Sequence, residues 1–273
     1  MTPLRLEAPA KINLSLRVVG RREDGLHLLD SHLVLLELAD ELLMLPGCSG
    51  LRIGGEGAAG LPLDGTNLAW RGLLAGLGGE PETACLALEK RIPAAAGLGG
   101  GSSDAAAGWR LGRAWRGMSD RPTADELAGL ASIGADVPFL AAGVARGRVA
   151  GVGERVEEAA PLDADVVLAH PPFGLSTAAV FAELRRDEWG TLENDLLAPA
   201  RRLRPEIDDV FEFVTAAGGR PQLSGSGPTI FSLADDPGQA AAIAAGVEQA
   251  GIRATITRTR TRAAAIQAID EEE

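Results

Sequence analysis

Apolar residues recur at every second position around Ile12, Leu14 and Leu16, and again through the runs HLVLLELAD and ELLML. The stretch from Leu4 to about Leu45 therefore predicts β-strands. The polar run Arg22-Glu23-Asp24-Gly25 between them predicts a turn. After a glycine-rich, turn-prone stretch ending at Gly65, Leu68, Leu73, Leu74 and Leu77 fall at helical spacing, and CLALEKRIP predicts a further strand. That strand runs into Gly97-Leu98-Gly99-Gly100-Gly101-Ser102-Ser103-Asp104. An alanine-rich segment with Trp109, Leu111 and Trp115 follows and predicts a helix packed closely on its neighbours. A second helix is expected over TADELAGLASIG, with Thr123 as N-cap, Glu126 at capping-box spacing and an end at Gly134.

Beyond about Pro161 the pattern restarts. DVVLAHP predicts a strand, STAAVFAELRR and NDLLAPARRL predict helices, and PEIDDVFEFVTAAGG predicts an amphipathic helix with a glycine C-cap. QLSGSGPTIFSLA predicts two short strands about a glycine turn, before a helix over DPGQAAAIAAGVEQAG and a last strand over RATITRTRT. Strands and helices alternating around antiparallel segments predict an α+β fold in two lobes, residues 1–158 and 159–273, rather than a doubly wound parallel sheet. The acidic tail after Ile269 reads as dispensable.

Of the 273 residues, 46% are hydrophobic and 23% charged, which describes a folded chain with a core and not a disordered one. The net charge of -12 repels nucleic acid and anionic membranes, so neither is expected as a partner and an anionic ligand needs a local site. Cys48 and Cys85 lack CxxC spacing and read as separate structural thiols, not as a disulfide or a zinc site. No basic and apolar leader opens the sequence and no run of about 18 apolar residues occurs, so a soluble, cytoplasmic protein is expected.

The glycine cluster is the strongest chemical signal. Successive small residues let backbone N–H groups converge on an anion while the helix N-terminus adds partial positive charge, and Ser102 and Ser103 add hydroxyl donors or helix caps. Gly99 and Gly101 are both expected to be irreplaceable there. A Walker A loop is excluded, because the only lysines, Lys11 and Lys90, follow alanine and glutamate. A Rossmann fingerprint is disfavoured, because Ser102 stands at the third glycine position. Lys11 is a compact point charge in a strand, where a lone lysine is more often solvated. Asp136 is fixed between Gly134 and Pro138, a place where an aspartate more often serves a turn. His27, His32 and His170 lack metal-ligand spacing, and no Ser-His-Asp arrangement presents itself.

In order, Pro9-Ala10-Lys11-Ile12-Asn13-Leu14, the segment PAAAGLGGGSSDAA from Pro93, Gly134-Ala135-Asp136-Val137-Pro138 and LSGSGPTIF from Leu223 resemble the motifs of the galactokinase, homoserine kinase, mevalonate kinase and phosphomevalonate kinase (GHMP) family. Within it, PAKINL, REDGLH, the glycine loop and GADVPF are most similar to the 4-diphosphocytidyl-2-C-methyl-D-erythritol kinases. The resemblance implies an N-terminal ribosomal-S5-like lobe, a C-terminal ferredoxin-like lobe and an active site between them. It implies ATP and Mg2+ as cofactors, a small-molecule diphosphocytidyl substrate, no protein metal ligands, and a monomer or homodimer. Residue by residue, it implies that Pro93, Gly97, Leu98, Gly99, Gly100, Gly101, Ser102 and Ser103 hold the ATP phosphates, with Asp136 as base and Lys11 beside it. Asn13, Leu26, His27, Asp136, Thr177 and Phe181 would meet the substrate, and the Gly225-Ser226-Gly227 loop would close the far side. The family places a tyrosine where this chain has Leu26, and the chain contains no tyrosine. Two alternatives stay open, a GHMP kinase acting on homoserine, a mevalonate-type alcohol or a sugar, and a non-catalytic nucleotide-binding relative.

Overall fold

The computed structural model describes residues 2–81 and 84–269, so the acidic tail lies outside the described residues. Its N-terminal part comprises β1 (Leu4–Arg21), β2 (His27–Pro46), β3 (Gly50–Gly54), α1 (Leu68–Leu77), β4 (Ala84–Glu89), α2 (Gly100–Trp115), α3 (Ala124–Leu130), α4 (Val137–Ala141), β5 (Arg146–Gly151) and β6 (Arg155–Glu158). There follow β7 (Asp165–His170), α5 (Thr177–Glu183), α6 (Leu197–Leu203), α7 (Ile207–Ala216), β8 (Gln222–Leu223), β9 (Ile230–Ala234), α8 (Pro237–Gln249), β10 (Arg253–Arg258) and β11 (Gln267–Ala268). A seven-stranded sheet in the order β11-β1-β2-β4-β3, with β5 and β6 branching from β2, holds the first part. The second sheet has four antiparallel strands in the order β10-β7-β9-β8, the ferredoxin-like arrangement. The fold is α+β, as the alternation predicts.

Strand parity explains how the two sheets meet. In β7, Val167 and Ala169 face a core built with α5, α7 and α8, while Val166 and Leu168 face Ala10, Ile12, Val34 and Leu36 of the first sheet. With both faces covered, β7 reads as a continuous apolar run. In β1, Leu6 and Ala8 pack toward α1 and α2, yet Ala10 and Ile12 point the opposite way, into the second sheet. A register shift between Pro9 and Lys11 reverses the parity. A slip of one residue exchanges the faces of a strand, so this irregularity turns Lys11 toward the helix side, where the glycine loop lies.

Several elements differ from expectation. β3 and β5 arise where glycines obscure the alternation, β6 is only four residues long, and α3 ends at Leu130 with turns carrying the chain to Gly134. The expected capping box is present, with Thr123 Oγ1 accepting from Glu126 N and the Glu126 carboxylate accepting from Thr123 N. Cys48 and Cys85 are not separate thiols but a disulfide with a Cα separation of 5.2 Å. The cause is register: Cys85 pairs with Leu45 of β2 and with Gly50 of β3, and Cys48 lies in the turn joining those strands. Among the described residues no helix is long and apolar enough to cross a membrane.

Candidate active site

β4 stops at Glu89, and residues 90–99 form the loop that enters α2 at Gly100. Gly99, in the left-handed region at φ 70, is the N-cap, and no side chain caps the helix. Ser102 and Ser103, expected as possible caps, instead lie inside the first turn. The first N–H groups of a helix have no intrahelical partner, so this start is an anion-binding geometry. The loop is braced from three directions: Lys11 N donates to Leu98 O at 2.9 Å, Thr229 N to Ala96 O at 3.2 Å, and Ser224 Oγ to Gly97 O at 3.0 Å.

Lys11 is buried, and its Nζ stands 3.3 Å from Asp136 Oδ2 while donating to Asn13 Oδ1 at 2.7 Å and Gly97 O at 3.1 Å. Asn13 is oriented in turn by donating to Ser31 Oγ at 2.9 Å. Asp136 precedes α4 without capping it, and Pro138 in the first turn rigidifies the start, so its carboxylate remains free to face Lys11. A cation from β1, a carboxylate ahead of α4 and the glycine loop thus converge from three distant parts of the sequence.

They share a cavity of about 500 Å³ lined by Lys11, Asn13, Pro93, Gly97, Leu98, Gly99, Gly100, Gly101, Ser102, Asp136, Thr177 and Phe181, together with Lys90, Asp104, Gly225 and Ser226. Thr177 Oγ1 and Ser226 Oγ are 2.8 Å apart across its far wall. Three expected residues stand outside the lining. Ser103 is turned into the protein and Leu26 is 52% exposed in the β1–β2 turn. His27 meets the site only through Phe181, on which it stacks with centroids 5.1 Å apart and an interplanar angle of 23°. Burial, aided by Arg21, lowers the His27 pKa, which favours this neutral stack.

Sequence reasoning missed two supports. Asn194 donates to Leu223 O and Gly225 O, both at 2.8 Å, and holds the loop opposite Lys11. Asp195, fully buried, accepts from the N–H groups of Val18, Gly190, Thr191 and Leu192. The adjacent polar pair at the head of the apolar NDLLAPARRL pattern was the one local signal of both. Lys90, more readily read as solvated, is buried against Asp40 and Asp104.

Comparison with known proteins places this geometry in a group. Residues 67–144 match the family described as GHMP kinases N terminal domain, and residues 178–253 match GHMP kinases C terminal. The chain is 40% identical over 272 residues to a 4-diphosphocytidyl-2-C-methyl-D-erythritol kinase of Paramagnetospirillum magneticum, covering 90% of this chain and 94% of that one. It is 42% identical to a protein of the same name from Cereibacter sphaeroides, covering 89% and 95%. A crystal structure of 4-(cytidine 5'-diphospho)-2C-methyl-D-erythritol kinase superposes with a TM-score of 0.76 at 35% identity, over 93% of this chain and 98% of that one. A homoserine kinase from Cytophaga hutchinsonii, with a TM-score of 0.66 at 18% identity over 98% of each chain, shares the fold.

Proposed function

This chain belongs to the GHMP kinase family, and on that premise we infer that it transfers the γ-phosphoryl group of ATP to the 2-hydroxyl of 4-diphosphocytidyl-2-C-methyl-D-erythritol, a step of non-mevalonate isoprenoid biosynthesis. The observation that carries the reading is the 3.3 Å approach of Lys11 to Asp136 at the edge of the glycine cradle, inside one cavity. Gly97 and Gly99 let the loop pack tightly, Gly97 against the backbone of Ser224 and Gly227 and Gly99 against the Lys11 side chain, which fixes the N–H groups at the start of α2 that suit a phosphate. Phosphoryl transfer passes through a loose, charge-rich transition state and rewards positioning and electrostatics.

In this proposal Asp136 accepts the proton of the attacking hydroxyl. Lys11 offsets charge on the attacking oxygen, while the loop from Gly97 to Ser102 holds the nucleotide phosphates. Magnesium would neutralise phosphate charge, held by phosphate oxygens and water, with the Ser102 hydroxyl nearby. Among the described residues no group of three His, Cys, Asp or Glu side chains is placed to hold an ion. The lobe boundary after Glu158 is part of the same proposal.

The cytidine end is assigned to Thr177, Phe181 and the Leu26-His27 turn. Stacking of a base on an aromatic side chain is worth about 1–3 kcal/mol, so Phe181→Ala is expected to raise KM for the diphosphocytidyl substrate by about fivefold or more without altering KM for ATP. Leu26→Tyr is expected to lower that KM by about fivefold at constant kcat, because the added contact is equal in ground and transition states. Steady-state kinetics on both variants checks the pair. An unchanged KM in both would move the base elsewhere. A coupled ATP-consumption assay over a panel of alcohols tests the function itself, and turnover of homoserine or mevalonate in place of the diphosphocytidyl alcohol would overturn the assignment.

A further inference from the structure

Beneath the glycine loop lies an ionic cluster that the proposed transfer step does not use. Asp40, Lys90 and Asp104 are 0%, 3% and 3% exposed. Lys90 Nζ donates to Asp104 Oδ2 at 2.7 Å and also to Asp40 Oδ2, while Asp40 Oδ1 accepts from the N–H groups of Arg91 at 2.6 Å and Ile92 at 2.8 Å. The cluster joins β2, the residue that follows β4, and the second turn of α2, so it brackets the glycine loop on both sides. Lys90 and Asp104 also line the cavity, and a Cβ on Gly100 would lie 3.4 Å from Lys90 Nζ. The cluster is the floor of the cradle.

Two features set it apart from a closed structural ion pair. Its formal charge is unbalanced, with two carboxylates against one ammonium. Asp104 Oδ1 is buried without a hydrogen-bond partner, a costly state for an ionised oxygen. An excess negative charge under a helix N-terminus opposes the partial positive charge that the cradle offers to phosphate.

We propose that Asp104 binds a proton when nucleotide phosphates enter the cradle, so that the Lys90, Asp40 and Asp104 cluster becomes neutral as the site above it becomes anionic. Asp104 is a positioning residue in this scheme, acting through the loop and α2. The proposal rests on reading the loop as a nucleotide cradle. Burial pushes the Asp104 carboxyl up to about 7, with Lys90 pulling it down and Asp40 raising it, so its proton is poised near neutrality. Lys90 itself keeps its proton, its pKa raised because the two carboxylates outweigh its burial. The other charges facing this region are Lys11 of β1 and Asp136 ahead of α4, which already pair with each other, while Arg71 of α1 is exposed. An added phosphate charge raises an acid's pKa, and by linkage a proton bound with the nucleotide makes affinity fall as pH rises through neutrality.

Calorimetry of magnesium ADP binding to the full chain, in buffers of different ionisation enthalpy, tests this. Parent protein is expected to take up more protons than Asp104→Asn at neutral pH, with affinity falling by up to about tenfold per pH unit above pH 7. Asp104→Asn is expected to lose that slope and hold nearly constant affinity. Equal proton uptake in the two proteins, or an unchanged slope in the variant, would overturn the proposal. Should the variant not fold, the infrared difference spectrum of the parent decides. A protonated-carboxyl band gained on nucleotide binding supports the proposal and its absence sinks it. Failure of the parent to bind nucleotide at all would sink both this and the reading of the loop, whereas binding without extra proton uptake sinks this proposal alone.

Discussion

Asp136→Asn is expected to lower kcat by about 10²- to 10⁴-fold, the usual worth of one oriented proton acceptor, with little change in KM for ATP. The substitution keeps shape and size while removing the basic oxygen. It should leave the fold intact, because Asp136 makes no side-chain cap to α4 and its partner Lys11 retains Asn13 Oδ1 and Gly97 O. Lys11→Ala is expected to reduce kcat similarly and also to raise KM for ATP, since Lys11 steadies the glycine loop through Gly97 O as well as facing Asp136. Steady-state kinetics with thermal midpoints for each variant separates chemistry from unfolding. Near-normal kcat in folded Asp136→Asn would remove it from the role of base.

Gly97→Val and Gly99→Val are expected to abolish measurable nucleotide binding. Both glycines occupy the left-handed region, at φ 77 and φ 70, where an L side chain alone costs about 1–2 kcal/mol, or roughly fivefold to thirtyfold. Sterics add to this. A Cβ on Gly97 would lie 2.5 Å from Ser224 O and 2.7 Å from Gly227 O, both backbone atoms, and one on Gly99 would lie 2.9 Å from Lys11 Cε. Gly101 departs from the expectation of equal importance. It sits within α2 without a positive φ, and its Cβ would meet only the Leu68 side chain, at 3.2 Å. Gly101→Ala should therefore bind nucleotide far better than either valine variant. Titration calorimetry on the three proteins ranks them, and parental binding by Gly97→Val would reduce the cradle to a packing turn.

What the sequence disclosed follows from the range of the interactions involved. The long strands β1 and β2 were legible because one alternating pattern is repeated over many residues, and the Thr123 and Glu126 capping box because it closes over three positions. The glycine loop was legible as a strand-to-helix crossing. The short strands β3, β5 and β6 were not, since glycines in β3 and β5 and the four-residue length of β6 weaken the signal, and pairing with β4, β2 and β5 respectively stabilises them from outside. Long-range pairings were equally hidden: the Cys48–Cys85 disulfide depends on sheet register, and the burial of Lys90 depends on Asp40 and Asp104. Lys11 and Asp136 could be proposed together only through family resemblance, because the parity reversal after Pro9 that turns Lys11 inward has no local signature. At Leu26 the same resemblance pointed to a stacking position, and the side chain there is exposed in the turn beside His27, which itself stacks on Phe181.

The most direct test of the central claim is the mass and phosphorylation site of the product formed from 4-diphosphocytidyl-2-C-methyl-D-erythritol, magnesium ATP and this protein. One added phosphoryl group, located on the 2-hydroxyl by phosphorus-proton correlation and formed with equal ADP, is the predicted result. An unmodified alcohol alongside active turnover of another substrate would contradict it.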